Sequence, residues 1–441
     1  MRDGNRKERA RGGIRPPLMR TYVRMSGDPL ITCVLIPRLS LKVAAGDRSE
    51  LLGAPVAIGP EPGGAQQIGE VSVAAEAFGI VPGMRLGEAL SRCPKLLLIP
   101  PDPAGVEEHW ERLLEALEAI GAAVEPMRPG LTCFDARGLL RLHGGTLGAV
   151  LNAARQALGE PARFGVAPTR FAAVAAATRA RTRHPLVIGG GQREAREFLA
   201  SMPVGLLRGS PALVALPEPL ERLGIATLGD LAALPVAAVA DRFGAAGRTA
   251  HRLARGIDTP LRPREPGETL RETVELHDPS SGLQLERALG MLIDRLLARR
   301  ERRGRTLRTV VLSATLVERG GTWREWMSFR EALSDRERMR LALVPRLALL
   351  PAPAQALRLA VERFGPPTSD QQVLLDDPAE ARLARLREAI RQTTAAAGPD
   401  AALRVLQIDP GSRFPERRMV LVSGAGEERS ARVSRVKRGS R

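Results

Sequence analysis

The sequence predicts a multidomain α+β protein, and three observations lead to this prediction. Short apolar runs closed by Pro or Gly, such as ITCVLIP at 31–37, alternate with helical patterns up to about residue 190. Short helical segments separated by Gly-containing turns fill residues 198–260. An amphipathic helix, a basic turn and a strand follow at 283–321.

Composition narrows the class of protein. The net charge is +17, which favours a polyanionic partner such as nucleic acid, although GC-rich coding could also raise the arginine content. Aromatic residues make up only 3% of the chain, which argues against a single-strand binder that stacks bases. Three widely spaced cysteines fit a reducing cytosol and predict neither a disulfide scaffold nor a metal site.

Residues 31–190 show the clearest local patterns. After the strand at 31–37, HWERLLEALEAI predicts a helix with one apolar face that runs from Trp110 to Ile120. VEPMRPGLTCFDARG at 124–138 then predicts a hairpin with Pro129, Gly130 and Leu131 at its crest and Asp135 on its second strand. A helix around GAVLNAARQALG follows, and ARFGVAPTRFAAVAAATRA at 162–180 predicts a strand, a turn and an Ala-rich helix.

The spacing of short helices and Gly-containing turns in residues 198–260 is typical of helix-hairpin-helix units. The turn Phe243-Gly244-Ala245-Ala246-Gly247 would leave backbone N–H groups free at a helix N-terminus, where they could hold a DNA phosphate. Gly244, Gly247 and Arg248 are therefore candidate DNA-binding residues. A plain small-helix domain is the alternative.

Six arginines crowd the place where the next helix meets a strand, between Arg299 and Arg308. Such a run is either a solvated face or a ridge of phosphate contacts. The candidate DNA-binding residues of this ridge are Arg302, Arg303, Arg305 and Arg308.

In this order, the segments resemble the Y-family DNA polymerases over about residues 30–365. AFGIVPGMRLGEALSRCPKLLLIPPD (77–102) is similar to the segment that joins the family's fingers and palm, and FGVAPTRFAAVAAATRA to a late palm motif. LERLGIATLGDLAALP, with FGAAGRTAHRLARGID, resembles the thumb. The resemblance implies a right hand with an α/β palm, small fingers, a helix-hairpin-helix thumb and an α/β little finger.

The resemblance also implies boundaries along the chain. It implies a C-terminal region that binds a clamp or other partners. Composition predicts a disordered basic arm before the palm, a Pro-rich basic linker between the thumb and the little finger, and a basic tail. In chain order these are the arm at 1–27, the palm at 28–40 and 103–190, the fingers at 41–102, the thumb at 191–262, the linker at 263–270, the little finger at 271–364 and the C-terminal region at 365–441.

The positions at which the family holds its two catalytic metal ions lack carboxylates. Nucleotidyl transfer needs hard divalent cations, which bind carboxylate oxygens. The first metal-binding Asp falls at Pro37, and Leu39 stands where a second acidic residue is common. The Asp-Glu pair of the hairpin falls on Gly130 and Leu131, whereas Asp135 matches a later Asp that is not a metal ligand. We therefore predict no catalytic residue, no metal site and no cofactor.

The positions that hold the triphosphate differ in the same way. Val73 and Glu76 occupy the places of the family's Tyr-x-x-Arg, and Glu76 would repel a triphosphate. Val174 replaces the palm lysine near the phosphates, and Lys42 replaces the aromatic residue that screens the sugar.

This pattern resembles the non-catalytic ImuB-like branch of the UmuC/DinB-like superfamily, whose members assist bacterial damage-induced mutagenesis. The resemblance implies a cytoplasmic, nucleoid-associated pseudoenzyme whose partners are primer-template DNA, a sliding clamp, a RecA-like companion and an error-prone C-family polymerase subunit. DQQVLLDD resembles a clamp-binding motif, although chance occurrence in a linker is an equal alternative. Its candidate residues are Gln371, Gln372, Leu374 and Leu375.

Three functions remain open on the sequence. The first is a DNA-binding, non-catalytic adaptor in translesion synthesis. The second is an active error-prone DNA-directed DNA polymerase with unusual ligands for Mg²⁺, which only Asp135 and remote acidic residues support. The third is an interaction protein whose affinity for DNA is incidental.

Overall fold

The structure is a computed structural model of the chain. It describes residues 29–61, 63–265, 270–317, 321–367 and 401–423, with the isolated positions 382, 386, 389, 390, 393 and 398. The chain divides into two compact units, residues 1–267 and 268–441. The mixture of helices with several sheets agrees with the predicted α+β class.

A five-stranded sheet is the centre of the first unit. Its central strand pairs antiparallel with a neighbour on each side, and only the last two strands run parallel. The predicted hairpin at 124–138 forms the first two strands of the spatial order β4-β5-β1-β6-β7. The strands are β1 (Ile31–Leu35), β4 (Glu125–Arg128), β5 (Leu131–Asp135), β6 (Arg163–Ala167) and β7 (Leu186–Val187).

Helices cover both faces of this sheet because its strands are apolar on both sides. Along β1, Cys33 faces one buried cluster and Val34 faces the other. Two amphipathic helices pack against the side of Val34, and an Ala-rich helix packs against the side of Cys33. These helices are α4 (Pro103–Ala119), α5 (Leu147–Leu158) and α6 (Arg170–Arg179).

The Ala-rich helix α6 lies unusually close to β6. A Cβ atom added at Gly165 would overlap the backbone of Ala173 and Ala177, so only glycine leaves the helix enough room. The small side chains of α6 permit the same approach from the other side. Thr169 begins the helix with a side chain that accepts a hydrogen bond from the amide of Ala172.

Residues 39–99 form a small subdomain around a two-stranded parallel sheet and two short buried clusters. Residues 56–58 form a strand, and residues 73–76 form a short helix. The elements are α1 (Leu39–Ala45), β2 (Val56–Ile58), α2 (Val73–Glu76), α3 (Leu86–Arg92) and β3 (Leu97–Ile99).

Residues 192–254 are helical, with turns near the predicted places. Thr227 and Asp230 make a reciprocal capping box, and Gly244 breaks the last helix with φ of 60°. The helices are α7 (Gln192–Ala200), α8 (Pro217–Arg222), α9 (Leu228–Ala233) and α10 (Val236–Ala254).

The segment that follows is held to the first unit by charge. Arg264, which composition placed in a linker, forms ion pairs with Glu111 and Glu118 on α4. Its amide donates to the carbonyl of Val124 over 2.8 Å. The carboxylate of Glu118 accepts hydrogen bonds from the guanidinium and thereby raises the pKa of Arg264. The start of the predicted linker is therefore part of the packed structure.

The second unit has a β-α-β-β-α-β order and a four-stranded antiparallel sheet. Both helices pack on one face of the sheet through a large apolar cluster. The spatial order is β10-β9-β11-β8. The elements are β8 (Leu270–Ser280), α11 (Leu283–Ala298), β9 (Arg305–Leu316), β10 (Gly321–Leu333), α12 (Arg336–Leu347) and β11 (Ala354–Pro367).

A separate antiparallel hairpin follows later in the chain. It consists of β12 (Leu403–Gln407) and β13 (Met419–Ser423). The arm at 1–27, most of residues 368–400 and the basic tail lie outside the described residues. In the part of the chain that the structure describes, no helix is long and apolar enough to cross a membrane.

The close packing of α6 on β6 yields a stability prediction. Replacing Gly165 by Ala should lower the free energy of unfolding of the first unit by about 2–3 kcal/mol, because the added methyl group must push the helix off the strand. Urea unfolding followed by circular dichroism measures the change. Gly148→Ala is the matched control, since nothing lies within 4 Å of a Cβ there, and it should alter stability by less than about 1 kcal/mol. Equal stability of the two variants would contradict this account.

Candidate functional site

The crest of the β4–β5 hairpin closes against the end of β1. The amide of Ile36 donates to the carbonyl of Gly130 over 2.8 Å, and Leu131 lies opposite Leu35 in the strand register. The structure thus brings Pro37 and Gly130, two of the residues at the predicted catalytic positions, to the same end of the sheet.

Gly130 has no room for a side chain. Its φ is +80°, in the left-handed region that side chains disfavour, and an added Cβ would lie 2.7 Å from the carbonyl oxygen of Ile36. Any residue other than glycine would therefore have to separate the hairpin crest from β1.

The residues at the four predicted metal positions offer no side-chain oxygen ligand. Leu39 and Leu131 are buried, each in an apolar cluster, and Pro37 lies in the turn that joins β1 to α1. Mg²⁺ binds oxygen ligands, so these residues do not fit the metal pair that the family implies. Among the residues that the structure describes, no three His, Cys, Asp or Glu side chains are grouped so that they could hold a metal ion.

Asp135 is engaged elsewhere. It stands at the opposite end of β5 from Leu131, about 13 Å along the strand. Its carboxylate accepts hydrogen bonds from the side chain and the amide of Arg137. Burial raises the pKa of Asp135, but these hydrogen bonds lower it by more, and the net pKa is below the ordinary value. The carboxylate therefore caps a short helical turn rather than facing the crest of the hairpin.

The chain's own carboxylates occupy the place next to the β1–α1 turn. Arg38 has a left-handed backbone and donates to the carbonyl of Val71, while its guanidinium forms an ion pair with Glu76 at 2.6 Å. The carboxylate of Glu70 accepts a hydrogen bond from the amide of Leu41 over 3.0 Å, near the start of α1. The guanidinium of Arg38 and the amide of Leu41 could otherwise bind a phosphate, but both are already bound to carboxylates of this chain.

The other residues at positions predicted to lie near the triphosphate or sugar are either uncharged or form contacts elsewhere in the fold. Val73 is exposed at the start of α2, and Val174 is buried within α6. Lys42 reaches Glu160 at 3.5 Å, and Glu160 also contacts His109 at 2.8 Å. Burial of Glu160 raises its pKa, but the hydrogen bond with His109 and the charges of His109 and Lys42 lower it further, so the net pKa is depressed. Lys42 therefore stabilises the contact of α1 with the region after α5.

The candidate DNA-binding turn in α10 is present, but its glycines differ in role. Gly244 is exposed with open space around its Cα, and a new helical segment begins after it. Gly247 is buried, and an added Cβ would overlap Phe243 and Val239, so it serves the packing of the two helical segments. Arg248 is exposed on the second segment.

The arginine ridge forms the turn between α11 and β9. Arg302 and Arg305 donate to each other's backbone carbonyl at 3.2 Å, and Arg305 also stacks on Phe364. Arg308 donates to the carbonyl of Arg330, and Arg303 is exposed with a left-handed backbone. Arg302 and Arg305 thus help to build the turn, Arg308 joins β9 to β10, and all four stay candidates for phosphate contact.

The sheet of the second unit carries further arginines that the sequence analysis missed. On the face away from α11 and α12, Arg324, Ser313 and Arg358 lie in one row across three strands. The next row contains Trp326, Val311, Ala360 and Arg271, and Arg324 stacks on Trp326. The period-2 alternation of arginine with apolar residues in TWREWMSFRE and QALRLAVERF could have identified this face.

This face suits a polyanion. Its arginines stand among small residues such as Ser313, Thr273 and Ala360, which let a broad surface approach the sheet. Arg358 donates to the hydroxyl of Thr273 over 3.1 Å, and its burial lowers the pKa of the guanidinium. An arginine stays charged in spite of such a shift. The clamp-like residues Gln371, Gln372, Leu374 and Leu375 lie outside the described residues.

Comparison with known proteins identifies the family. The model of the impB/mucB/samB family matches residues 39–178. A protein named DNA polymerase IV from Dehalococcoides mccartyi (strain CBDB1) is 28% identical over 344 residues, which cover 77% of this chain and 87% of the relative. The DNA polymerase IV of Ralstonia nicotianae is 30% identical over 58% of this chain and 72% of the relative. That of Caulobacter vibrioides is 35% identical over 42% of this chain and 46% of the relative.

The chain therefore belongs to the Y-family DNA polymerase superfamily, within which the impB/mucB/samB family falls.

Because the hairpin crest lies against β1, we predict that introducing carboxylates at the metal positions does not by itself produce polymerase activity. The variant Pro37→Asp/Gly130→Asp/Leu131→Glu should give no primer extension with Mg²⁺ or Mn²⁺, because a side chain at 130 opens the contact with Ile36. Gly130→Ala alone should lower the free energy of unfolding by about 1–3 kcal/mol, whereas Gly138→Ala, with open space around it, should change it little. Template-directed synthesis by the triple variant would contradict the prediction.

Proposed function

We propose that the protein is a DNA-binding, non-catalytic Y-family polymerase homologue that acts as an accessory factor or adaptor in translesion synthesis. The observation that carries the proposal is the closed hairpin crest at Gly130, where none of the residues at the four predicted metal positions has a side-chain oxygen. The ion pair of Arg38 with Glu76 also supports the proposal, because it occupies a basic group that could otherwise bind the triphosphate of a nucleotide.

We infer the following layout of the right hand. The five-stranded sheet with α4 to α6 is the palm, at 28–40 and 103–190, and the subdomain at 41–102 is the fingers. The helices at 191–262 are the thumb, the sheet at 271–364 is the little finger, and 365–441 is the partner-binding region. The apolar packing of the sheets and the similarity to the DNA polymerase IV proteins support this assignment.

DNA binding in this proposal rests on two arginine-bearing surfaces of the second unit. One is the turn that contains Arg302, Arg303, Arg305 and Arg308, and the other is the open sheet face with Arg324 and Arg358. Guanidinium groups on a sheet and its adjoining turn can contact successive phosphates without reading the bases. This mode suits a protein that must accept damaged templates of any sequence.

The membership of the family supports a role in DNA damage tolerance, and the lack of metal ligands supports an accessory rather than a catalytic role. In an ImuB-like member, a sliding clamp, a RecA-like companion and an error-prone C-family polymerase subunit would be the partners. Synthesis would then be performed by the partner, and this chain would hold the DNA and the assembly.

An active error-prone DNA polymerase is the second candidate, because the relatives are named DNA polymerase IV. It would need metal ligands from outside the hairpin crest. Asp135 is the nearest acidic residue on β5, but its carboxylate is bound by Arg137. An interaction protein with incidental DNA affinity is the third candidate.

Primer extension separates the first two candidates. The purified chain should bind primer-template DNA in a gel shift and add no nucleotide with either Mg²⁺ or Mn²⁺. Robust template-directed incorporation that Asp135→Ala abolishes would instead establish the active polymerase.

The dependence of DNA affinity on salt separates the first candidate from the third. We expect log K to fall with log[salt] by roughly 0.9 per phosphate contact. Replacing Arg324 and Arg358 by Ala should flatten this slope by about 2, and replacing Arg302, Arg303, Arg305 and Arg308 together should flatten it further. Arg346→Ala is the control, since Arg346 pairs with Glu325 on the helix-covered side and should leave the slope unchanged. An unchanged slope in both arginine variants would reject these surfaces.

A further inference from the structure

Two of the three cysteines meet inside the five-stranded sheet. Cys33 on β1 and Cys133 on β5 lie directly opposite each other in the strand register, although they are far apart along the chain. Both side chains are completely buried, and both belong to the apolar cluster on the face of the sheet that α6 covers. The proposed function uses neither thiol, so the pair calls for a separate account.

The two cysteines occupy the kind of strand position that brings side chains closest together. In an antiparallel ladder, residue pairs that exchange backbone hydrogen bonds alternate with pairs that do not, and side chains are closer in the second kind. The amide of Ile36 donates to the carbonyl of Gly130, so those two residues form a pair of the first kind. Cys33 stands three positions before Ile36. The alternation therefore makes Cys33 and Cys133 a non-hydrogen-bonded pair.

The spacing of such a pair suits a covalent bond between the sulfur atoms. Cα atoms in non-hydrogen-bonded pairs are about 4.5 Å apart, and disulfides join Cα atoms about 4.4–6.8 Å apart. Burial raises the pKa of the Cys33 thiol, and its hydrogen bond with the Cys133 thiol raises this pKa further, whereas the charge of Arg128 lowers it by less. Cys33 is therefore a weak nucleophile toward groups from outside, but its sulfur is in contact with that of Cys133.

The way to this pair lies beneath a side chain of the edge strand. Among the described strands, β4 is the outermost of the sheet on the side of β5. The Sδ atom of Met127 on β4 lies 3.9 Å from the Sγ atom of Cys133, and Met127 is 39% exposed. A small oxidant that reaches Met127 is thus one side chain away from Cys133. The third cysteine, Cys93, is buried in a different cluster.

We propose that Cys33 and Cys133 are an oxidation site, at which a small peroxide converts the two thiols into a reversible disulfide. The Cys133 sulfur attacks one oxygen of hydrogen peroxide, the O–O bond breaks, a sulfenic acid forms and one water leaves. The Cys33 sulfur then attacks the Cys133 sulfur, and the sulfenic hydroxyl leaves with the Cys33 proton as a second water. The peroxide gains two electrons and the two thiols lose two.

The bond would fasten β1 to β5 near the hairpin crest. Cys33 lies three residues before Ile36, and Cys133 lies three residues after Gly130, so the bond would reinforce the contact that closes the crest. It would also close a loop of roughly 100 residues, which restricts the unfolded chain and thereby favours the folded one. This inference concerns the sheet itself and holds for an adaptor and for a polymerase alike.

Counting free thiols in the full chain tests the proposal. The folded chain is treated with hydrogen peroxide, denatured and alkylated with N-ethylmaleimide, and mass spectrometry counts the labels and identifies cross-linked peptides. The untreated chain should carry three labels, and the oxidised chain one, on Cys93. Dithiothreitol should restore all three. Cys93→Ala is the matched control and should form the same bond, whereas Cys33→Ala should form none.

Urea unfolding of the oxidised and the reduced chain gives a second measurement. The urea midpoint of the first unit should rise on oxidation and return with dithiothreitol, and it should not rise in Cys33→Ala. Three labels after a treatment that oxidises Met127 to its sulfoxide would overturn the proposal. A bond that includes Cys93, or an equal yield of the Cys33–Cys133 bond in chain oxidised while unfolded in urea, would overturn it too. The cross-linked peptides of Cys93→Ala decide the matter even if Cys33→Ala fails to fold.

Discussion

The contact between Gly130 and Ile36 is the constraint on which the rest of the candidate site depends. It requires a residue without a side chain at the hairpin crest, a left-handed backbone there, and a hydrogen bond from the end of β1. Because the crest lies against β1, a side chain at position 130 would meet the carbonyl oxygen of Ile36. The backbone as well as the residue types therefore disfavours a carboxylate at this position.

The surroundings of the basic groups differ between the two units. Around the β1–α1 turn, basic groups are matched by internal acids, as Arg38 is by Glu76. On the sheet of the second unit, arginines such as Arg324 and Arg358 stand in rows across neighbouring strands. Rows of arginines attract a polyanion. At the β1–α1 turn, the carboxylate of Glu76 offsets the charge of Arg38, so a triphosphate gains little there. This contrast is what favours an adaptor that holds DNA over an enzyme that transfers nucleotides.

The names of the relatives favour an active polymerase, whereas the residues at the predicted metal positions of this chain favour the proposed non-catalytic role. Similarity at 28% identity over 77% of the chain shows membership of the family but does not by itself show activity. Catalysis depends on a few carboxylates at fixed places, and the overall identity carries no information about single positions. Primer extension decides between these two interpretations, because nucleotide incorporation depends directly on the residues at those few positions.

Local pattern in the sequence determined the α+β class, the hairpin at 124–138, the Ala-rich helix after β6 and the absence of carboxylates at Pro37 and Gly130. These features depend on residue type and on spacings of two or about four residues, which are visible along the chain. Only the tertiary structure decided that Gly165 and Gly130 are sites of close approach, that Arg38 pairs with Glu76, and that Arg324 and Arg358 share a row. The physical reason is that each of these contacts joins different strands, helices or turns, so strand register and helix packing must form before the atoms meet.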